Sequence, residues 1–351
     1  MFSLVLVALL VNPPLRPARP PSQGELTVRI DSARHTVTLS SGPFRIAGAP
    51  AASGAGSHHG MHAGAEMPLM HFKWPVAGWI RGYELSLTDG QGRPIARRLL
   101  HHLNLVNFAR RQLLYPVPER VLAVGQETPD IILPRSVGIP VESGWPMAVL
   151  LAWHNEKPEP VPDVYVTMVM HWSPTNLVPR PLAVLPVYFD VTDPVGLPVA
   201  FDLPAGRSTF HADLTLPTSG RIIGIGGHAH DYVTGLALQE VTGRRVRTVS
   251  RLRTTLDREG RLQSVEEKLP GIRGDGIPLR SGGTYRITGS YDNPTGRLIQ
   301  DGAMLHIILL YAVDDMRQWP ALDPDDPGFR KDVDYLEARS ADGAAEGEHQ
   351  H

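Results

Sequence analysis

The 351-residue sequence contains no cysteine. That removes disulfides, iron–sulfur clusters, thiolate zinc sites and a cysteine nucleophile together, and it leaves imidazole and thioether as the borderline and soft metal ligands. An excess of charge is missing too. Lys+Arg 34 against Asp+Glu 36 gives a net charge of -2 and a pI ≈ 6.7, so nothing electrostatic draws the chain to nucleic acid or to an anionic membrane surface. The apolar run at residues 2–11 ends at Asn12-Pro13-Pro14; it falls well short of the ~20 residues that cross a bilayer. Its length suits the core of a signal peptide, although a basic leader and a small-x-small cleavage site are lacking. Export to the periplasm, the cell envelope or the medium (a secreted protein) is the expectation, with membrane association only if this segment is retained. Long stretches of helical periodicity are absent as well. Residues 118–121 and the acidic C-terminal tail offer short helices at most.

What is abundant points to β structure. Gly 34 and Pro 33 punctuate short runs rich in Val, Ile, Leu and Tyr, the profile of an all-β chain with many turns. At this length two domains are the default. The spacing of runs and turns predicts two tandem antiparallel, jelly-roll-like β-sandwiches. Residues 1–24 form a signal-like segment and linker, residues 25–175 the first sandwich and residues 176–316 the second, joined through the proline-rich stretch 174–186. Residues 317–351 form an acidic tail expected to be disordered.

Histidine (15 residues) and methionine (9 residues) are the remaining chemistry-bearing types. In Gly226-Gly-His-Ala-His-Asp-Tyr232, His228 and His230 are two apart on a predicted strand and so face the same way, which makes a ready two-imidazole metal site. Alone, such a pair is equally well two unrelated histidines in a hairpin. His101 and His102 are adjacent. On a regular strand they face opposite ways, so they reach one ion only at a strand end or a bulge, or through different ring nitrogens. His154 closes the apolar run Ala148-Val-Leu-Leu-Ala-Trp, where a surface or hydrogen-bonded role is the common one. Met304 lies in a late apolar run and reads equally well as core. The Gly/Ala/Ser loop 47–65 carries His58, His59, Met61 and His62, either solvated side chains or a weak accessory copper site.

The order His101-His102, then a strand-end His154, then His228-x-His230, then Met304 resembles the copper type II, ascorbate-dependent monooxygenases, the family of peptidylglycine α-hydroxylating monooxygenase and dopamine β-monooxygenase. The segment Leu133-Pro-Arg-Ser-Val-Gly-Ile-Pro-Val, about twenty residues before His154, resembles that family's stretch before its third histidine. The resemblance runs over residues 79–313. It implies two copper ions: an electron-transfer copper held by His101, His102 and His154, and an oxygen-binding copper held by His228, His230 and Met304. It further implies dioxygen as co-substrate, ascorbate or an equivalent as reductant, and hydroxylation of a C–H bond in a small molecule or peptide.

Two departures bear on the substrate. Where amidating enzymes hold a peptide carboxylate with arginine and tyrosine, this chain has Gly226 and Ile308, so a peptidylglycine substrate is not expected. The family's cysteines are missing too. His306, two residues after Met304, should share its face and is expected in a supporting role or as a substrate contact. The alternatives are a copper-handling protein of the cell envelope without turnover, and a structural or ligand-binding double sandwich whose histidines are incidental.

Overall fold

A computed structural model describes residues 25–49, 68–197, 199–272 and 274–347. The expected accessory loop with His58, His59, Met61 and His62, and the signal-like segment 1–24, lie outside the described residues.

The chain folds into two successive antiparallel β-sandwiches, as its turn-punctuated apolar runs require. The first packs two sheets face to face. One sheet has the spatial order Leu26–Asp31, Thr36–Ile46, Val161–Pro174, Gly78–Thr88, Val137–Val141, Leu182–Ala183, with Ile131–Ile132 pairing onto Gly78–Thr88. The other has the order Leu69–Lys73, Pro146–Trp153, Leu100–Arg111, Pro118–Gly125. Leu39, Val166 and Met168 from one sheet meet Leu103, Val149 and Leu151 from the other, and the Phe44 and Trp153 rings lie 5.3 Å apart across the layer. Burial of these side chains, roughly 1.5–3 kcal/mol each, takes the place of the missing disulfides.

The second sandwich is built from Leu185–Asp190, Leu305–Val313, Gly220–Ala229 and Ile277–Leu279 in one sheet, and Gly206–Thr215, Thr284–Asn293, Val233–Thr242 and Arg245–Leu252 in the other. Along Thr284–Asn293 buried and more exposed residues alternate, with even the last positions keeping the period of two. The layers approach closely at Gly289, where a Cβ would come within 2.5 Å of the Leu305 side chain.

The join between the sandwiches falls inside the proline-rich stretch 174–186, a few residues after the 175/176 boundary. Leu182–Ala183 adds to the first sandwich as a parallel partner of Val137 and Gly138, and the next strand, Leu185–Asp190, opens the second. All six of its residues are buried, because one sandwich pairs with it and the other covers it: the Asp190 backbone N–H donates to the Tyr115 hydroxyl at 3.1 Å.

Two local expectations differ from the structure. Residues 118–121 belong to a strand, Pro118–Gly125. A proline that could open a helix is overruled by pairing with Leu100–Arg111, in which Glu119 opposes Asn107 and accepts a 2.8 Å hydrogen bond from its amide. The tail is not wholly irregular either. Pro327–Gly347 is a helix, docked through buried Phe329, Asp332 and Leu336. The Asp332 carboxylate pairs with Arg120 of the first sandwich at 2.7 Å.

A candidate metal centre between the sandwiches

The first histidine pair owes its geometry to a slip in strand pairing. Leu100 opposes Trp153 and His102 opposes Ala152, so His101 is an extra residue in its strand. A bulge of this kind turns adjacent side chains toward the same side, and the His101 and His102 rings lie with centroids 3.9 Å apart. The second pair sits at the end of Gly220–Ala229. His228 is on the strand and His230 just beyond it, ahead of a turn in which Tyr232 adopts φ 63° and its N–H donates to the Gly260 carbonyl.

The two pairs meet across the interface. His102 Nε2 and His228 Nε2 are 3.0 Å apart, and the His101 and His230 ring centroids are 5.9 Å apart. One nitrogen each from His101, His102 and His230 lies within 4.8 Å of the other two. An ion held at ~2.0–2.1 Å by each nitrogen keeps those nitrogens no more than about 4 Å apart, so the trio suits a metal after side-chain shifts of about an ångström. The donor set, all imidazole, is borderline in softness and suits copper or zinc.

The convergence cuts across the expected partition into one pocket per sandwich, because the trio draws two histidines from the first sandwich and one from the second. His154 stands at the margin. Its backbone N–H donates to the Leu99 carbonyl, its ring centroid is 6.1 Å from that of His101, and its Nε2 is 3.7 Å from the Glu156 carboxylate. Met304 is 5 % exposed and lines a cavity together with His102, His228 and His306. Its carbonyl accepts from the Tyr291 hydroxyl at 2.6 Å. His171 lies within the first sandwich, its Nε2 3.4 Å from the Glu84 carboxylate.

Two carboxylates that the sequence reading did not single out organise the ring set. Glu127, in the turn after Pro118–Gly125, accepts from His228 Nδ1 at 2.5 Å. Burial pushes the Glu127 carboxyl up, but the charge and hydrogen bond of His228 outweigh it and hold the group below the usual carboxylate range. The Glu127 contact thereby fixes the orientation of the His228 ring, whose Nε2 faces His102 Nε2. Asp190 is the second carboxylate. Across three adjacent strands His228, His306 and Asp190 stand in register. The His306 ring stacks on His228 with centroids 5.7 Å and planes 19° apart, and its Nδ1 bonds to Asp190. Burial lowers the His306 imidazole to about 4. The Asp190 carboxylate favours the charged ring, but the Nδ1–H of a neutral ring already satisfies it, so burial decides. A lone acid closing the apolar run Leu185–Asp190 was the available signal for Asp190; Glu127, in a polar turn, carried none.

The histidines separate two spaces. His101, His154 and His230 face a cleft of about 650 Å³ with many charged groups in its wall, among them Arg98, Glu156, Lys157 and Arg261. His102 and His306 face a narrower cavity of about 180 Å³. His228 borders both.

No protein-family model matches the chain, and no curated protein matches it. Among solved structures it is similar to PNGase F, a glycosylasparaginase from Flavobacterium meningosepticum, at 9% identity and a TM-score of 0.38 over 78% of this chain and 96% of that one. It is similar also to a chain in the structure of Sulfolobus turreted icosahedral virus, at 10% identity and a TM-score of 0.34 over 89% of this chain and 98% of that one. A chain of the Sputnik virophage structure follows at 8% identity and a TM-score of 0.28, covering 87% of this chain and 90% of that one. At these identities and scores the likenesses carry no argument about activity.

Proposed function

We propose that the chain is a copper-dependent, monooxygenase-like oxidoreductase that hydroxylates a C–H bond of an organic substrate with dioxygen and a reductant such as ascorbate. One observation supports the reading above the others: imidazoles separated by well over a hundred residues converge at the interface of the two sandwiches, three with nitrogens within 4.8 Å of one another. Copper bound there would supply one-electron redox chemistry toward dioxygen, which no protein side chain provides. His101, His102 and His230 would hold the ion. Glu127 fixes the His228 ring, whose Nε2 faces that of His102. His154, His228 and Met304 are the ligands the resemblance assigns in addition, so that stoichiometry tells one ion from two.

Protein loaded anaerobically with Cu(I) should retain copper after desalting and take up oxygen with ascorbate. His230→Ala and His101→Ala should each lose copper while keeping the wild-type circular dichroism. Retained copper without ascorbate-driven oxygen uptake would leave the copper-handling reading. Wild-type protein that keeps no copper would overturn both.

A further inference from the structure

The narrow cavity behind the histidines differs in character from the charged cleft in front of them. Its wall is mostly apolar, with Val117, Val124, Leu150, Ile308 and Leu336 prominent, and His102, His228, Met304 and His306 form one side. The helix Pro327–Gly347 contributes Leu336 and Asp332 and so covers a flank. Charged groups in or beside the wall already have partners: Arg120 pairs with Asp332 at 2.7 Å, the Glu127 carboxylate accepts from His228 at 2.5 Å, and the Asp190 carboxylate accepts from His306. An anionic ligand would therefore meet no cationic side chain that is not already paired, and desolvating it there would go uncompensated. The Tyr115 hydroxyl accepts from the Asp190 N–H and retains a proton to donate to a neutral oxygen or nitrogen.

We propose that this cavity binds a small, neutral, largely apolar molecule, about the size of a substituted benzene, and presents it to the Met304 and His306 side of the histidine cluster. The inference rests on the oxidoreductase reading for the word substrate, and on the cavity alone for binding. Size sets the class: a dry cavity of about 150 Å³ takes one benzene, and this one holds about 180 Å³. Ile308, in the wall beside the histidines, adds apolar surface and no group that would hold a carboxylate.

The test uses metal-free, full-length protein with methionine labelled at its methyl carbon, titrated with toluene and, separately, with benzoate. The Met304 methyl resonance should shift saturably with toluene and not with benzoate, while those of Met168 and Met170, in the core of the first sandwich, stay fixed. Ile308→Phe should weaken toluene binding more than about tenfold, the scale of misfit in an apolar pocket. Should that variant displace the Met168 and Met170 signals, Ala123→Leu fills the cavity from the strand Pro118–Gly125 and must weaken binding in the same way. No saturable shift at Met304, an equal response to benzoate, or undiminished binding in the filled variant would each overturn the proposal. Because the probe needs no metal, toluene binding without copper uptake sinks the oxidoreductase reading and leaves the ligand site standing. Copper uptake without toluene binding sinks the ligand site alone.

Discussion

At the scale of residues, the centre works through pairs in which a buried carboxylate fixes an imidazole. His306 shows what this does to stability. In the unfolded chain its ring binds a proton below its ordinary value of 6.5; in the folded chain burial delays this to about 4. Between those values the unfolded state holds more protons, so stability is retained above about 6.5 and falls as the pH drops toward 4. The slope contributed is at most about 1.4 kcal/mol per pH unit. His306→Gln keeps an amide donor for Asp190 without a titrating ring. Urea denaturation across that range should show a shallower acid loss in the variant; an unchanged slope would place the titration elsewhere. The residue types were legible in the sequence, because only His and Met can supply soft or borderline ligands in a chain without cysteine. Glu127 and Asp190 were not. A carboxylate in a turn or at a strand end becomes informative only once a ring is found against it.

At the scale of elements, periodicity announced most strands, since a half-buried strand must alternate. Bulges and docking overrode it elsewhere. The condition that His101 and His102 share a side only at a bulge or strand end was readable, but the bulge itself comes from how Leu100–Arg111 registers on Pro146–Trp153. The acidic tail reads as a short helix at most. The length and docking of Pro327–Gly347 are not legible there, because its sequence is acidic and poor in apolar residues and its docking rests on a few contacts. Asp332 is the most exacting of these, with a side chain 2% exposed against Arg120. Asp332→Ala leaves Arg120 without its counter-charge, a loss of about 3 kcal/mol for a largely buried pair. Amide hydrogen exchange over residues 329–337 should then accelerate by about a hundredfold, while the strand Pro146–Trp153 keeps its protection. Equal acceleration in both would mean that the helix is part of the global folding unit.

At the scale of the whole molecule, the histidine cluster ties the sandwiches to each other. His102 and His228 are 126 residues apart in sequence and 3.0 Å apart in space. A ligand held by His101, His102 and His230 therefore stabilises the pair of sandwiches together. Cu(I) in free excess at 100 times its dissociation constant should raise stability by about 2.7 kcal/mol, seen in calorimetry as an upward shift of the entire unfolding transition. In His230→Ala the shift should vanish. A copper-dependent rise confined to one of two separated transitions would show that the ion is held within a single sandwich.

The amino-acid sequence by itself determined the class of fold, the strand-and-turn spacing and the identity of the available ligands, since each of these depends on composition or on neighbours a few residues apart. Tertiary structure alone decided which histidines meet, which carboxylates hold them, and which cavity lies behind them. Those outcomes hang on strand register and on the docking of one sandwich against the other. Both are set by packing between segments far apart in the chain, and no local pattern encodes them.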